Sequence, residues 1–235
     1  MSNLVSYRFE DGISTIIMDD GKANVMSITM LNEINDALDQ AETNGGTIIL
    51  QGRDGIFSGG FDLGAFKRGD TDEIYSMLKT GAELTERLLS FPNPTIAACT
   101  GHGIAMGAFT LLSMDYRIGI EGDYKFAANE VAIGLTVPHF ATEVCRQRLS
   151  PAALNYGLAT AHFFNSASAI QAGFLDQIVD KNDLATAALE TAKQFNQLDL
   201  ASHRATKLRI RTESLRALRQ AIEKDCANWK SSYLK

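Results

Sequence analysis

Two glycine-dense segments, each directly downstream of a short apolar run, most constrain what this chain can fold into. Thr47 to Leu50 leads into Gly52-Arg-Asp-Gly-Ile-Phe-Ser-Gly-Gly-Phe-Asp-Leu-Gly64, and Thr95 to Cys99 leads into Gly101-His-Gly-Ile-Ala-Met-Gly107. Short apolar runs bounded by glycine read as buried strands. Amphipathic stretches separate them. Ser27 is placed to cap a helix carrying Ile28, Leu31, Ile34, Ala37, Leu38 and Ala41, which Asn44-Gly45-Gly46 ends. Asp72 to Ser90 places Ile74, Met77, Leu78, Leu84, Leu88 and Leu89 on one helical face, and Pro92 and Pro94 stop it. Strand, helix, strand, repeated, predicts a largely parallel sheet covered by helices.

Around that frame, period-two alternation over Leu4 to Phe9, the Asp11-Gly12 pair and Ile13 to Met18 predict a hairpin. Arg117 to Ile120 and Leu175 to Asp180 read as further short strands, and the last third as helical. The boundary is drawn between a core at 1–195 and a C-terminal helical region at 196–235. Leu208, Leu215, Ile222 and Trp229 recur every seven residues, with Leu218 and Cys226 on the same side, so this seam is assigned to another chain, with packing on the core as its rival.

Composition excludes several classes. With 22 Lys and Arg against 28 Asp and Glu, the net charge of -6 argues against a nucleic-acid binder, and 45% hydrophobic residues against disorder. Three scattered cysteines encode neither a disulfide framework nor a thiolate zinc site, and four histidines form no i, i+4 pair; no metal site is expected. The start, MSNLVSYRFEDG, lacks the basic and apolar regions of a signal peptide, and no apolar run spans a bilayer; a cytoplasmic location with no membrane partner is expected.

Glycines at strand ends let a ligand approach backbone amides, and two such loops could converge two N–H donors on one oxygen. Two tight turns without a ligand explain the same spacing. A dinucleotide fingerprint fails, because Gly101-x-Gly103-x-x-x-Gly107 is one residue too long, and a P-loop is absent.

The residues themselves resemble a family. Phe57-Ser-Gly-Gly-Phe-Asp-Leu63, Gly101 to Ala108 with Met114-Asp-Tyr-Arg117, Phe126 to Gly134, and Lys22-Ala-Asn-Val-Met-Ser27 resemble, in order, motifs of the crotonase (enoyl-CoA hydratase/isomerase) superfamily. The resemblance implies an α/β fold, a spiral of ββα units with a C-terminal helical region that drives assembly into trimers or hexamers. It implies an acyl-CoA thioester as substrate, so that coenzyme A arrives with the substrate and no further cofactor is needed. The thioester oxygen would be held by the backbone N–H groups of Phe61 and Met106; one such donor is worth roughly 3 to 4 kcal/mol in characterised enzymes. Lys22, Ala23, Asn24, Gly60, Asp62, Leu63, Gly107, Phe109 and Pro138 would line the acyl-CoA site. Asp62 is also placed to cap the following helix.

Family hydratases use two glutamates. The second maps onto Glu130, the first onto Phe109, which cannot activate water. A lone glutamate suffices to move a proton from C2 to C4, the chemistry of the 3,2-enoyl-CoA isomerase branch, which the stretch from Asn129 to Phe140 also resembles. The expected activity is therefore that isomerisation in fatty-acid β-oxidation. Hydration with relocated acids and passive acyl-CoA binding are the alternatives. Val131, Ala132 and Ile133 are expected to desolvate Glu130 and raise its pKa. Arg204, Lys207, Arg209, Arg211, Arg216 and Arg219 are read as a solvated helix face, with capture of CoA phosphates as the competing role.

Overall fold

The computed structural model describes residues 3–233. The chain opens with an antiparallel hairpin, β1 (Val5–Glu10) and β2 (Ile13–Met18). Asp11 and Gly12 turn it, both left-handed at φ 51° and 73°, which is what a two-residue hairpin turn requires. After β3 (Val25–Met26), the Ser27 side chain accepts from Met30 N and caps α1 (Ile28–Asn44), which buries Leu31, Ile34, Ala37, Leu38 and Ala41. Next come β4 (Thr47–Gln51), β5 (Gly55–Ser58), β6 (Gly60–Phe61), α2 (Leu63–Arg68) and α3 (Thr71–Ser90). The third unit is β7 (Thr95–Cys99), β8 (Gly101–Ile104) and α4 (Met106–Leu112). A fourth starts with β9 (Tyr116–Ile120) and β10 (Lys125–Ala127), followed by a 3₁₀ turn at Glu130–Ile133, α5 (His139–Arg146) and α6 (Pro151–Thr160). The remainder is β11 (Phe164–Asn165), α7 (Ser166–Ala172), β12 (Gln177–Val179), α8 (Leu184–Phe195), α9 (Leu200–Ile210) and α10 (Thr212–Tyr233).

A six-stranded sheet runs in the order β1-β2-β4-β7-β9-β12, parallel beyond the hairpin. The other strands form a four-stranded sheet, β11-β10-β8-β5, and a parallel pair, β3-β6. Successive units thus place one strand in the large sheet, the next outside it, and then a helix. This is the ββα spiral.

The glycine-dense segments are where the second sheet appears, although their composition reads as loop. Glycine is depleted in strands, so β5, β6 and β8 carry no local signal. They pair because the backbones can touch: a Cβ on Gly101 would stand 2.0 Å from the Gly55 carbonyl oxygen. The large sheet is covered on both faces. Ile49, Ile96, Ala98 and Ile118 pack under Leu184, Ala188 and Ala192 of α8, and the opposite face joins the main core. This explains its continuous apolar strands. No described helix is long and apolar enough to cross a membrane.

Two expectations for the C-terminal region are corrected. The seven-residue seam is broken at Arg211, between α9 and α10, and its apolar residues pack on the chain's own core: Leu215, Leu218 and Ile222 are buried, and Trp229 stacks edge-on to Phe140. The basic stretch is not one solvated face either. Arg204 and Arg209 are exposed, but Lys207 and Arg211 are buried and bind Asp115 at 2.7 and 2.9 Å. An α-helix brings i and i+4 onto one side, so the same segment yields an inward and an outward row.

Candidate active site

Three loops converge at the C-terminal ends of the second-sheet strands. Asn24 holds the first to the second. It is fully buried at φ 47°; its Nδ2 donates to the carbonyls of Met18 and Phe57, its Oδ1 accepts from Asp20 N, and its own carbonyl accepts from Ser58 Oγ at 2.7 Å. Its side chain is therefore fully engaged inside the fold. Lys22 is exposed, and the Ala23 carbonyl accepts from Gly59 N at 2.9 Å.

Gly60 joins the second loop to the third. At φ 97° it is in a region glycine favours, and a Cβ there would lie 3.0 Å from Ala105 Cβ and 3.5 Å from Met106 N. Phe61 follows it directly, in register with Met26. Asp62 caps α2 by accepting from Gly64 N at 2.8 Å and binds Arg68 at 3.0 Å; Leu63 is exposed.

The third loop turns at Ala105, whose φ of 48° and ψ of -120° are strained for a residue with a Cβ. Its N–H donates to the Ala127 carbonyl at 2.8 Å, tying the turn to β10. Met106 is the first residue of α4, so its N–H has no acceptor within that helix. Gly107 lets α4 seat on β5, since a Cβ would fall 2.5 Å from the Ser58 carbonyl oxygen. The Phe61 ring and the Met106 side chain meet at Gly81 in the middle of α3: a Cβ there would stand 2.5 Å from Phe61 Cε1 and 3.5 Å from Met106 Cε. Glycine in a helix interior costs about 1 kcal/mol relative to alanine, so this one is explained by the room it leaves.

Glu130 enters three residues beyond β10, and β10 lies parallel to β8 with Ala127 opposite Ile104. It is 8% exposed, and its Oε2 is buried without a hydrogen-bond partner among the described residues. Burial raises its carboxyl above the ordinary glutamate value, against a weaker opposing backbone hydrogen bond. The expected cause is corrected: Val131 and Ile133 are 45% and 53% exposed and Ala132 also faces outward, so they do not desolvate it. Packing of α6 on the 3₁₀ turn and the buried Cys145 of α5 do.

Phe109 is 1% exposed and packs edge-on against Phe140, centroids 5.8 Å apart. Pro138 precedes α5, whose first amides are capped from a distance: buried Asp225 of α10 accepts from His139 N at 3.1 Å and Phe140 N at 2.8 Å. That cap has no sequence signal, since the partners lie 85 residues apart. Glu130 and Asp225 are the buried carboxylates among the described residues. Of these two, Glu130 has an oxygen without a hydrogen-bond partner among the described residues, whereas both oxygens of Asp225 accept.

The family model for enoyl-CoA hydratase/isomerase matches residues 8–234. The chain belongs to the enoyl-CoA hydratase/isomerase family. Members of this family act on acyl-CoA thioesters, and the chain is an enzyme of that family by the same match. A probable enoyl-CoA hydratase of Bacillus subtilis is 35% identical over 143 residues, 59% of this chain and 54% of the Bacillus protein. An enoyl-CoA hydratase structure from Mycobacterium marinum superimposes with a TM-score of 0.91 at 43% identity, covering 96% of this chain and 99% of that one. A structure described as an enoyl-CoA isomerase of Mycobacterium tuberculosis gives 0.91 at 41% identity, over 97% and 99%. This enoyl-CoA hydratase/isomerase family member is therefore similar to proteins carrying either name.

Proposed function

We propose that this protein is a 3,2-enoyl-CoA isomerase in which Glu130 is the single proton-transfer group. The observation that carries the reading is that Glu130 is a buried carboxyl with an unpartnered oxygen, while Phe109, the position to which the resemblance assigns the hydratases' first glutamate, is an aromatic ring packed on Phe140. In this mechanism the thioester oxygen sits between the Phe61 and Met106 amides. Glu130 takes a proton from C2, the charge moves onto that oxygen as an enolate, and the same carboxyl returns the proton at C4. A carboxyl with a raised pKa suits both halves, because it must accept and then release the proton near neutrality. The acyl-CoA enters along Lys22 and Ala23, and coenzyme A is part of the substrate. The reading includes unsaturated fatty acyl chains as substrates and assembly into trimers; the exposed apolar side chains Val131, Ile133 and Leu135 support such an assembly.

The names of the Bacillus and M. marinum relatives favour hydration as the second reading. Conjugation of a trans-3-enoyl-CoA, followed by absorbance beside hydration of crotonyl-CoA, separates them. The expected result is conjugation by the wild type, reduced about 10²- to 10⁴-fold in Glu130→Gln, with negligible hydration. Full turnover by Glu130→Gln would sink the single-base mechanism, and comparable hydration would favour the second reading.

A further inference from the structure

We propose that the cleft beneath α9 is a binding site for a phosphate group, separate from the acyl-CoA site. The cleft has a volume of about 460 Å³ and is lined by Arg148, His203, Lys207, Arg211, Asp115 and Asp199, among others. It opens at the wrong end of the sheet for the site described above. Thr95 and Asp115 stand at the starts of β7 and β9, whereas the catalytic loops leave the strand ends, about 13 Å away along β7 at 3.3 Å per residue.

The charges in this cleft do not balance. Asp115 is bound by Lys207 at 2.7 Å, by Arg211 at 2.9 Å and by Thr95 N at 2.9 Å. Asp199 caps α9 by accepting from Ser202 N at 2.7 Å. The neighbouring Asp176 is held by Arg117, with contacts of 2.6 and 2.8 Å. Arg148 therefore has no carboxylate of its own and donates only to the carbonyls of Met114 and Asp115. Its Nε is buried without a partner, and so is Nε2 of His203, which lies 3.9 Å from Asp115. Three cations and a histidine thus face two carboxylates, both already engaged.

Burial penalises a charged group, and the penalty shows in the titration of Arg148 and also of Lys207, although Lys207 has Asp115 beside it. Burial, with repulsion from Arg117 and Arg211, brings Arg148 down to about 10; burial foremost brings Lys207 down to about 8. A tetrahedral dianion answers each of these features. Its oxygens accept charge-assisted hydrogen bonds from a guanidinium edge and an imidazole at once, and its charge offsets the surplus. Asp115 remains the fixed post that sets the spacing of Lys207 and Arg211.

The test is calorimetric titration of the full chain with inorganic phosphate, against chloride at matched ionic strength. One phosphate per chain is expected, bound at least tenfold more weakly by Arg148→Gln. Thr206, exposed on α9 and lining the cleft, provides a second variant. Thr206→Glu places a carboxylate in the cleft, so it is expected to fold, to melt higher than wild type in phosphate-free buffer, and to lose the phosphate response. Free CoA added to the phosphate-saturated protein is expected to bind without displacing the phosphate; displacement would make the cleft part of the acyl-CoA site and overturn the proposal. A phosphate response no larger than that of chloride, or one that survives Thr206→Glu unchanged, would overturn the proposal. Neither result bears on the isomerase reading, which depends on Glu130.

Discussion

Glu130 shows how one side chain reports its surroundings. Its folded-state pKa is raised by burial, so the neutral acid is the form the fold tolerates. A group with a raised folded pKa lends stability below its unfolded value, near 4.5, and loses it as pH rises through the folded value. Stability at pH 7 is therefore lower than it is below the unfolded value. Glu130→Gln is expected to unfold at higher urea than wild type at pH 7, with the gap closing as pH falls toward 4.5. Urea titrations across that range check this, and a gap independent of pH would show that the carboxyl is solvated. Asn24 is a residue of the opposite kind, polar and buried but fully partnered. Asn24→Ala removes the side-chain donor to Met18 and Phe57 and the acceptor for Asp20, and is expected to cost at least about 2 kcal/mol in the same assay.

At the scale of elements, the site depends on helices held from afar. α5 begins without a local cap, since Pro138 supplies no side-chain acceptor, and Asp225 of α10 does that work instead. Asp225→Ala leaves two helix amides without their acceptor and is expected to cost about 1 to 3 kcal/mol, while Asp225→Asn, keeping one acceptor oxygen, costs less. Denaturant unfolding of the pair measures both. Because α5 carries Phe140 against Phe109, the alanine variant is also expected to lower turnover more than the asparagine variant does. α4 is seated differently, by the absence of side chains: Gly107 admits Ser58, and Gly60 admits Ala105.

For the whole molecule, the C-terminal helices belong to the core of the single chain. Leu218 is 1% exposed in it, so Leu218→Ala is expected to cost about 2 to 5 kcal/mol. That loss should be independent of protein concentration, since a residue buried within one chain does not report on assembly. A loss that disappears on dilution would instead place Leu218 between chains. The two ends of the large sheet also differ in chemistry. Its strand C-termini lead to loops gathering backbone amides and one buried acid, and its strand N-termini meet the surplus of cations beneath α9.

The hairpin, the Ser27-capped helix, the proline-stopped α3 and the apolar strands of the large sheet were legible in the sequence. Each rests on interactions within a few residues, or on a periodicity that a short window contains. The motif order was legible too, and with it the family. Tertiary structure alone decided the second sheet, whose glycine strands pair only because distant backbones can touch, as Gly55 does with Gly101. It alone decided that α6 and Cys145 bury Glu130 rather than its neighbours in sequence, that Asp225 caps a helix 85 residues away, and that Lys207 and Arg211 turn inward to Asp115. Burial and charge pairing are sums over whatever the fold brings close, and no local pattern of residues contains that sum.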